Sequence, residues 1–306
     1  MALFIGPGNW AGAGPRHTEI LLLPTLQRAE CTVPPFPENV HSYQMLADED
    51  GVHACGGRVG SGSGRWSSEC FSLLFNRKDW FRAPDVPSMN TKRLGANGLT
   101  LGKNKEWWMI GGHDGNGLIT SIEIRGSDGV WANSSTELPS ILNNPCIVSI
   151  NENQFLVMGG KNDMGILASV YLYDQSTNVW ERKQDMAGAR QEHACTFKEE
   201  EKKVIVAGGQ GTNSELLSSS EIYDISQNSW ETGPNLPIAT RGAKMITVDN
   251  EVYHIGGQET RTEIYRLSKD KSSARSFIKV GNLSEGKFWF DVVAIKISPE
   301  NCNGWK

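Results

Sequence analysis

The residues best suited to chemistry in this chain are cationic. Arg93, Arg190 and Arg241, with Lys287, fill four of five matching positions in a repeated pattern, and Asn143 fills the fifth. A guanidinium fork grips a carboxylate through two parallel hydrogen bonds, so such a set suits acidic peptides or carboxylates. The competing expectation is structural, with each arginine bonded to loop carbonyls or to a carboxylate of a neighbouring repeat. His113 and Trp66 complete the candidate binding set from two glycine-containing segments, His113-Asp114-Gly115-Asn116 and residues 60–66. His41 and His193 each precede a paired glycine by fifteen residues. That equivalence reads as packed, hydrogen-bonded histidines rather than a metal pair.

Other chemistry is poorly served. Gly60-Ser61-Gly62-Ser63-Gly64 lacks the helix and the Lys-Ser/Thr that a phosphate-cradling loop requires. The chain has no Gly-x-Ser-x-Gly elbow and no His-Glu-x-x-His, and its six cysteines form no CxxC pair. The expectation is therefore no catalysis, no cofactor and no metal.

Composition narrows the class. Thirty Lys plus Arg against thirty-five Asp plus Glu give a net charge of −5 with no basic block, which argues against nucleic acid as a partner. The longest apolar run, Ile20 to Pro24, is far below the roughly 18 residues that cross a bilayer, so no membrane span is expected. Thirty-three glycines beside ten tryptophans point to many tight turns around aromatic anchors.

The elements that must position these residues follow from an internal repeat. An apolar run closes on two glycines at Gly56-Gly57, Gly111-Gly112, Gly159-Gly160, Gly208-Gly209 and Gly256-Gly257. An aromatic follows each time, at Trp80, Trp131, Trp180, Trp230 and Phe277, and then a break such as Leu138-Pro139 or Leu236-Pro237. Short alternating runs such as Val170 to Asp174 lie between, so each unit reads as four strands separated by turns. The glycines should allow φ > 0 and close packing, and the tryptophans should fill the space between units.

This pattern, which covers nearly the whole chain, resembles the kelch repeat of β-propellers. The resemblance implies an all-β, six-bladed propeller forming a single domain over residues 1–306. The sixth blade would take three strands from the amino end, beginning at residues 1–6 and 18–23 with Cys31 in the aromatic slot. Its innermost strand would come from residues 288–297. In the kelch arrangement the loops after the double glycines share one face with the segments leading into the inner strands. The resemblance makes that face, at the channel mouth, the binding surface for a protein or acidic peptide. The alternative is a sugar-acting enzyme similar to the six-bladed sialic-acid mutarotases, with the arginines, Glu259, His113 and Asn143 at the mouth.

Cys55 ends one strand and Cys70 begins the next, so in a four-stranded blade the two face each other at a separation a disulfide can span. The segment around Cys31, with Cys55-Gly56-Gly57, is similar to extracellular kelch proteins of animals. Two sequons, at Asn133 and Asn282, fit secretion at a number that chance would also give. The amino terminus has no cationic leader, so the chain is cytosolic or its leader was removed. A Cys55–Cys70 bridge is expected and with it an extracellular origin, the alternative being a cytosolic chain with reduced cysteines.

Overall fold

A computed structural model describes residues 1–8, 17–30, 33–60, 64–82, 86–268 and 275–296. Cys31, Cys302 and residues 61–63 lie outside the described residues. The fold is all-β, with a single 3-10 turn at Glu199–Glu201 as the helical element among the described residues.

Four antiparallel sheets each use strands consecutive along the chain, apart from one small inserted hairpin. Their innermost and outermost strands are Asn97–Leu101 and Trp131–Glu137, Cys146–Ser149 and Val179–Lys183, Ala194–Lys198 and Ser229–Thr232, and Lys244–Val248 and Phe277–Asn282. A fifth sheet has the three strands Gln44–Ala47, Gly51–Cys55 and Cys70–Leu74, extended by a single bridge from Ser72 to Phe81. A sixth is assembled from both ends of the chain, where Val292–Ile295 pairs with Ala2–Ile5, followed by Glu19–Leu22 and Gln27–Arg28.

Local sequence explains this layout. The second strands Gln154–Met158, Lys203–Ala207 and Glu251–Ile255 are buried at all but their first residue, because neighbouring sheets cover both faces, and they read as apolar runs. The outermost strands Val179–Lys183 and Ser229–Thr232 are half-buried or exposed, and they are polar. All ten residues of the glycine pairs take positive φ. At Gly57, with φ 86°, a Cβ would lie 2.7 Å from the His41 carbonyl, so no other residue fits without displacing the neighbouring chain. The blade tryptophans reach back by one repeat. Trp80 Nε1 donates to Pro34 O, Trp131 to Pro87 O, Trp180 to Thr136 Oγ1 and Trp230 to Gln184 O, at 2.8 to 3.2 Å.

Among the described residues, two disulfides fix the strands. Cys55 and Cys70 are direct cross-strand partners with Cα atoms 4.1 Å apart. The second joins Cys146 to Cys195, across the innermost strands of two neighbouring sheets, with Cα atoms 6.0 Å apart. Cys146 is thus a covalent partner rather than a packed core residue. Its signal in the sequence was a separation of 49, one repeat length, which places equivalent positions of adjoining units side by side. For a loop of that size the chain-entropy argument gives a stabilisation of roughly 4 kcal/mol. We therefore expect Cys146→Ser/Cys195→Ser to lower the melting temperature more than Cys55→Ser/Cys70→Ser, which closes a shorter loop. Calorimetry on the two pairs, with thiol counting by mass spectrometry, checks this, and equal melting points for all three proteins would contradict it.

Candidate functional site

Just ahead of the six innermost strands stand Ser42, Gly95, Asn144, Glu192, Gly242 and Trp289, all with φ between 50° and 66°. Backbone bonds link five of their six adjoining pairs, and at the sixth the Asn144 side-chain oxygen lies beside Gly95. Ser42 N–H donates to Trp289 O, Gly95 to Ser42, Glu192 to Asn144, Gly242 to Glu192 and Trp289 to Gly242, at 2.9 to 3.2 Å. Glycine reaches this conformation freely, but Glu192 and Trp289 do so at a cost of roughly 1 to 3 kcal/mol each. Such strain persists where the surrounding structure enforces it, and it concentrates at functional sites.

Two cavities share this ring of residues. A larger one, of about 840 Å³, runs along the innermost strands from Tyr43 to Ala294. A smaller one, of about 300 Å³, is lined by Ser42, Gly95, Asn144, Glu192 and Trp289 of the ring together with His41, Arg58, Leu94, His113 and Asn143. Arg58 lies 5.6 Å over the ring of Trp66, and Trp66 stacks on His113 at 5.2 Å. Among the described residues Arg58 forms no ion pair, and its Nε donates to Gly64 O at 3.3 Å. Burial, reinforced by the charge of Arg58, lowers the pKa of His41, so this imidazole is neutral at neutral pH.

Of the expected binding residues, Asn143 and His113 line this pocket, and Trp66 stacks on His113 without lining it. His113 Nδ1 accepts the Gly115 N–H at 2.9 Å, which fixes the ring. Arg241 stands at the edge of the ring. Its Nε lies 2.8 Å from Gln258 Oε1 and 3.6 Å from Glu192 Oε2, while Trp289 Nε1 donates to the same carboxylate at 3.3 Å. Burial pushes the Glu192 carboxyl above its ordinary pKa, and the charge of Arg241 opposes that shift.

Arg93 and Arg190 correct the expectation of a cationic mouth. Both are buried, and their Nη atoms make matching bonds, while Nε donates to Glu123 Oε1 in Arg93 alone. Arg93 Nη1 donates to Gly111 O and Ser121 O, and Nη2 to Ser121 Oγ and Glu123 Oε1. Arg190 repeats this with Gly208 O, Ser219 O, Ser219 Oγ and Glu221 Oε1. Their own carbonyls accept the N–H of Gly57 and Gly160 in the preceding unit, so each arginine clasps two neighbouring sheets. Both guanidinium groups are thus directed into the protein interior and held by carbonyls and a carboxylate rather than presented to solvent. Lys287 is buried too, its Nζ donating to His17 O at 2.8 Å.

Glu192 and Trp289 were not legible as site residues, since neither matches a motif. Their shared place two or three residues before an inner strand is the signal that links them. Among the described residues, no group of three His, Cys, Asp or Glu side chains is arranged to hold a metal ion.

The Kelch motif family matches residues 148–187 and 201–237. Rat Kelch-like protein 38 is 29% identical over 154 residues, which cover 49% of this chain and 25% of the relative. Alpha-scruin of Limulus polyphemus is 29% identical over 131 residues, covering 43% of this chain and 13% of the relative. An F-box/kelch-repeat protein of Arabidopsis thaliana is 27% identical over 165 residues, covering 53% and 43%. The chain thus spans less than half the length of these curated relatives. With its antiparallel four-stranded units and paired glycines, the chain is a kelch-repeat protein with the all-β architecture of a propeller.

Proposed function

We propose that this chain is a six-bladed kelch propeller, a single domain over residues 1–306, that binds another protein without catalysis through the pocket on its loop face. The ring order is supported by the innermost strands, which adjoin one another in sequence from Gln44–Ala47 round to Val292–Ile295 and back to Gln44–Ala47. The two-ended sheet supports closure by the termini. Kelch-repeat relatives support a protein-interaction role, and the pocket beside the strained ring carries the proposal to this face.

The ligand that fits is an acidic peptide. Arg241 is balanced by Glu192, and His41 is neutral, so Arg58 leaves the pocket with a net positive charge. Its stack on Trp66 holds the guanidinium in place while leaving hydrogen-bond donors to reach a carboxylate. The sugar-acting alternative, with Glu259, His113 and Asn143 at the mouth, finds no support among the kelch-repeat relatives.

Arg58→Ala should weaken binding of aspartate- and glutamate-rich peptides at least tenfold while changing stability by less than roughly 0.5 kcal/mol, as expected for a partly exposed side chain. Fluorescence anisotropy with labelled peptides, alongside a thermal melt, provides the measurement. Unchanged affinity in the variant would remove the pocket from the binding surface.

A further inference from the structure

Met164 is the most exposed apolar side chain among the described residues, at 90%. It is nonetheless held in place. Lys161–Asn162 pairs with Gly165–Ile166 to form a small hairpin, Met164 lies in its turn, and Asn162 Oδ1 accepts the Met164 N–H at 2.9 Å. The base of the hairpin is fastened to the pocket wall, because Lys161 and Asn143 exchange two backbone hydrogen bonds at 2.8 and 2.9 Å. Ile141, also exposed, lies two residues before Asn143. A polarisable thioether exposed to water on a hairpin joined to the pocket wall gains free energy when an apolar group covers it.

We infer that Met164 and Ile141 form the apolar half of a two-part docking surface, whose occupant is an extended partner segment with a carboxylate in the pocket and a bulky apolar residue against the hairpin. Charge complementarity selects the first half, since Arg58 in the pocket and the exposed Lys161, paired with Asn143 of its wall, are both cationic. Geometry sets the spacing. Met164 lies three positions beyond Lys161, so the two Cα atoms are at most about 10 Å apart at roughly 3.3 Å per residue. A partner running along the hairpin covers that distance in three or four residues. The inference rests on the pocket reading above and adds a second specificity element to it.

The test uses the full chain as bait for random 12-residue peptides displayed on phage. Enriched peptides should pair Asp or Glu with Leu, Ile, Phe or Met three or four positions away. Met164→Ser and Ile141→Ser, with unchanged melting temperatures, should each weaken these peptides several-fold, and together at least tenfold. Alanine at the peptide's apolar position should weaken binding similarly and be non-additive with Met164→Ser. Peptides that lose affinity with Arg58→Ala but not with the Met164 and Ile141 variants would overturn the docking inference and leave the pocket reading standing. No enrichment, or enriched peptides indifferent to Arg58→Ala, would overturn both.

Discussion

A chain ending at Glu285 should show no cooperative unfolding transition. The deletion removes Val292–Ile295, which pairs with Ala2–Ile5 from Ala2↔Ile295 to Ile5↔Val292, so the amino-terminal strands lose their inner neighbour. It also removes the buried side chains of Phe288, Phe290, Val292 and Ile295. At roughly 1.5 to 3 kcal/mol for each buried apolar side chain, the four supply about 6 to 12 kcal/mol, comparable with the 5 to 15 kcal/mol that holds a typical domain folded. Polar ties go with them. Asp291 Oδ2 accepts the Met45 N–H at 2.7 Å, Gly6 N–H donates to Asp291 O at 3.0 Å, and Lys287 bonds His17 O. Circular dichroism and calorimetry of the shortened chain provide the check, and a melt matching that of the full chain would rule out closure by the termini.

The second large effect concerns the buried arginines. Arg190→Ala and Arg93→Ala should each destabilise the protein by about 3 to 5 kcal/mol, because each leaves a desolvated glutamate without its cation. Chemical denaturation with an unchanged slope would measure this. Removing both charges, as in Arg190→Met/Glu221→Leu, should recover part of the loss. Recovery stays incomplete because Glu221 also accepts the N–H groups of Ala187 and Gly188 at 2.7 and 3.1 Å, which the double variant leaves unpaired. Glu123 serves Asn90 and Thr91 in the same way. By contrast Arg241→Ala, at a partly exposed side chain, should cost about 1 kcal/mol or less. If all three arginine variants were equally stable, the clasp would not contribute to folding.

The sequence alone determined the repeat and its strands, because those are local properties. Alternation, an apolar run and a glycine pair restrict the backbone within a few residues, so Val170–Asp174 and the positive φ of every paired glycine were legible from residue types. The use of one strand from the carboxyl end could be read as well, since one unit lacked a strand and the far end held a spare.

Which cations face solvent was decided by tertiary structure. Arg93 and Arg190 each stand eighteen residues before the next glycine pair and Arg241 fifteen, and it is Thr240, not Arg241, whose carbonyl accepts the second-glycine N–H of the preceding unit, as those of Arg93 and Arg190 do. The slot is thus shifted by one residue, and that shift sends two guanidinium groups into the core and the third toward Glu192. The steps between glycine pairs run from 48 to 55 residues, so the repeat length alone does not fix the register. Hydrogen bonds between neighbouring sheets fix it, and they exist only once the sheets pack. The same holds for Glu192, Trp289 and the Cys146–Cys195 bond, whose positions have meaning only where adjoining repeats meet.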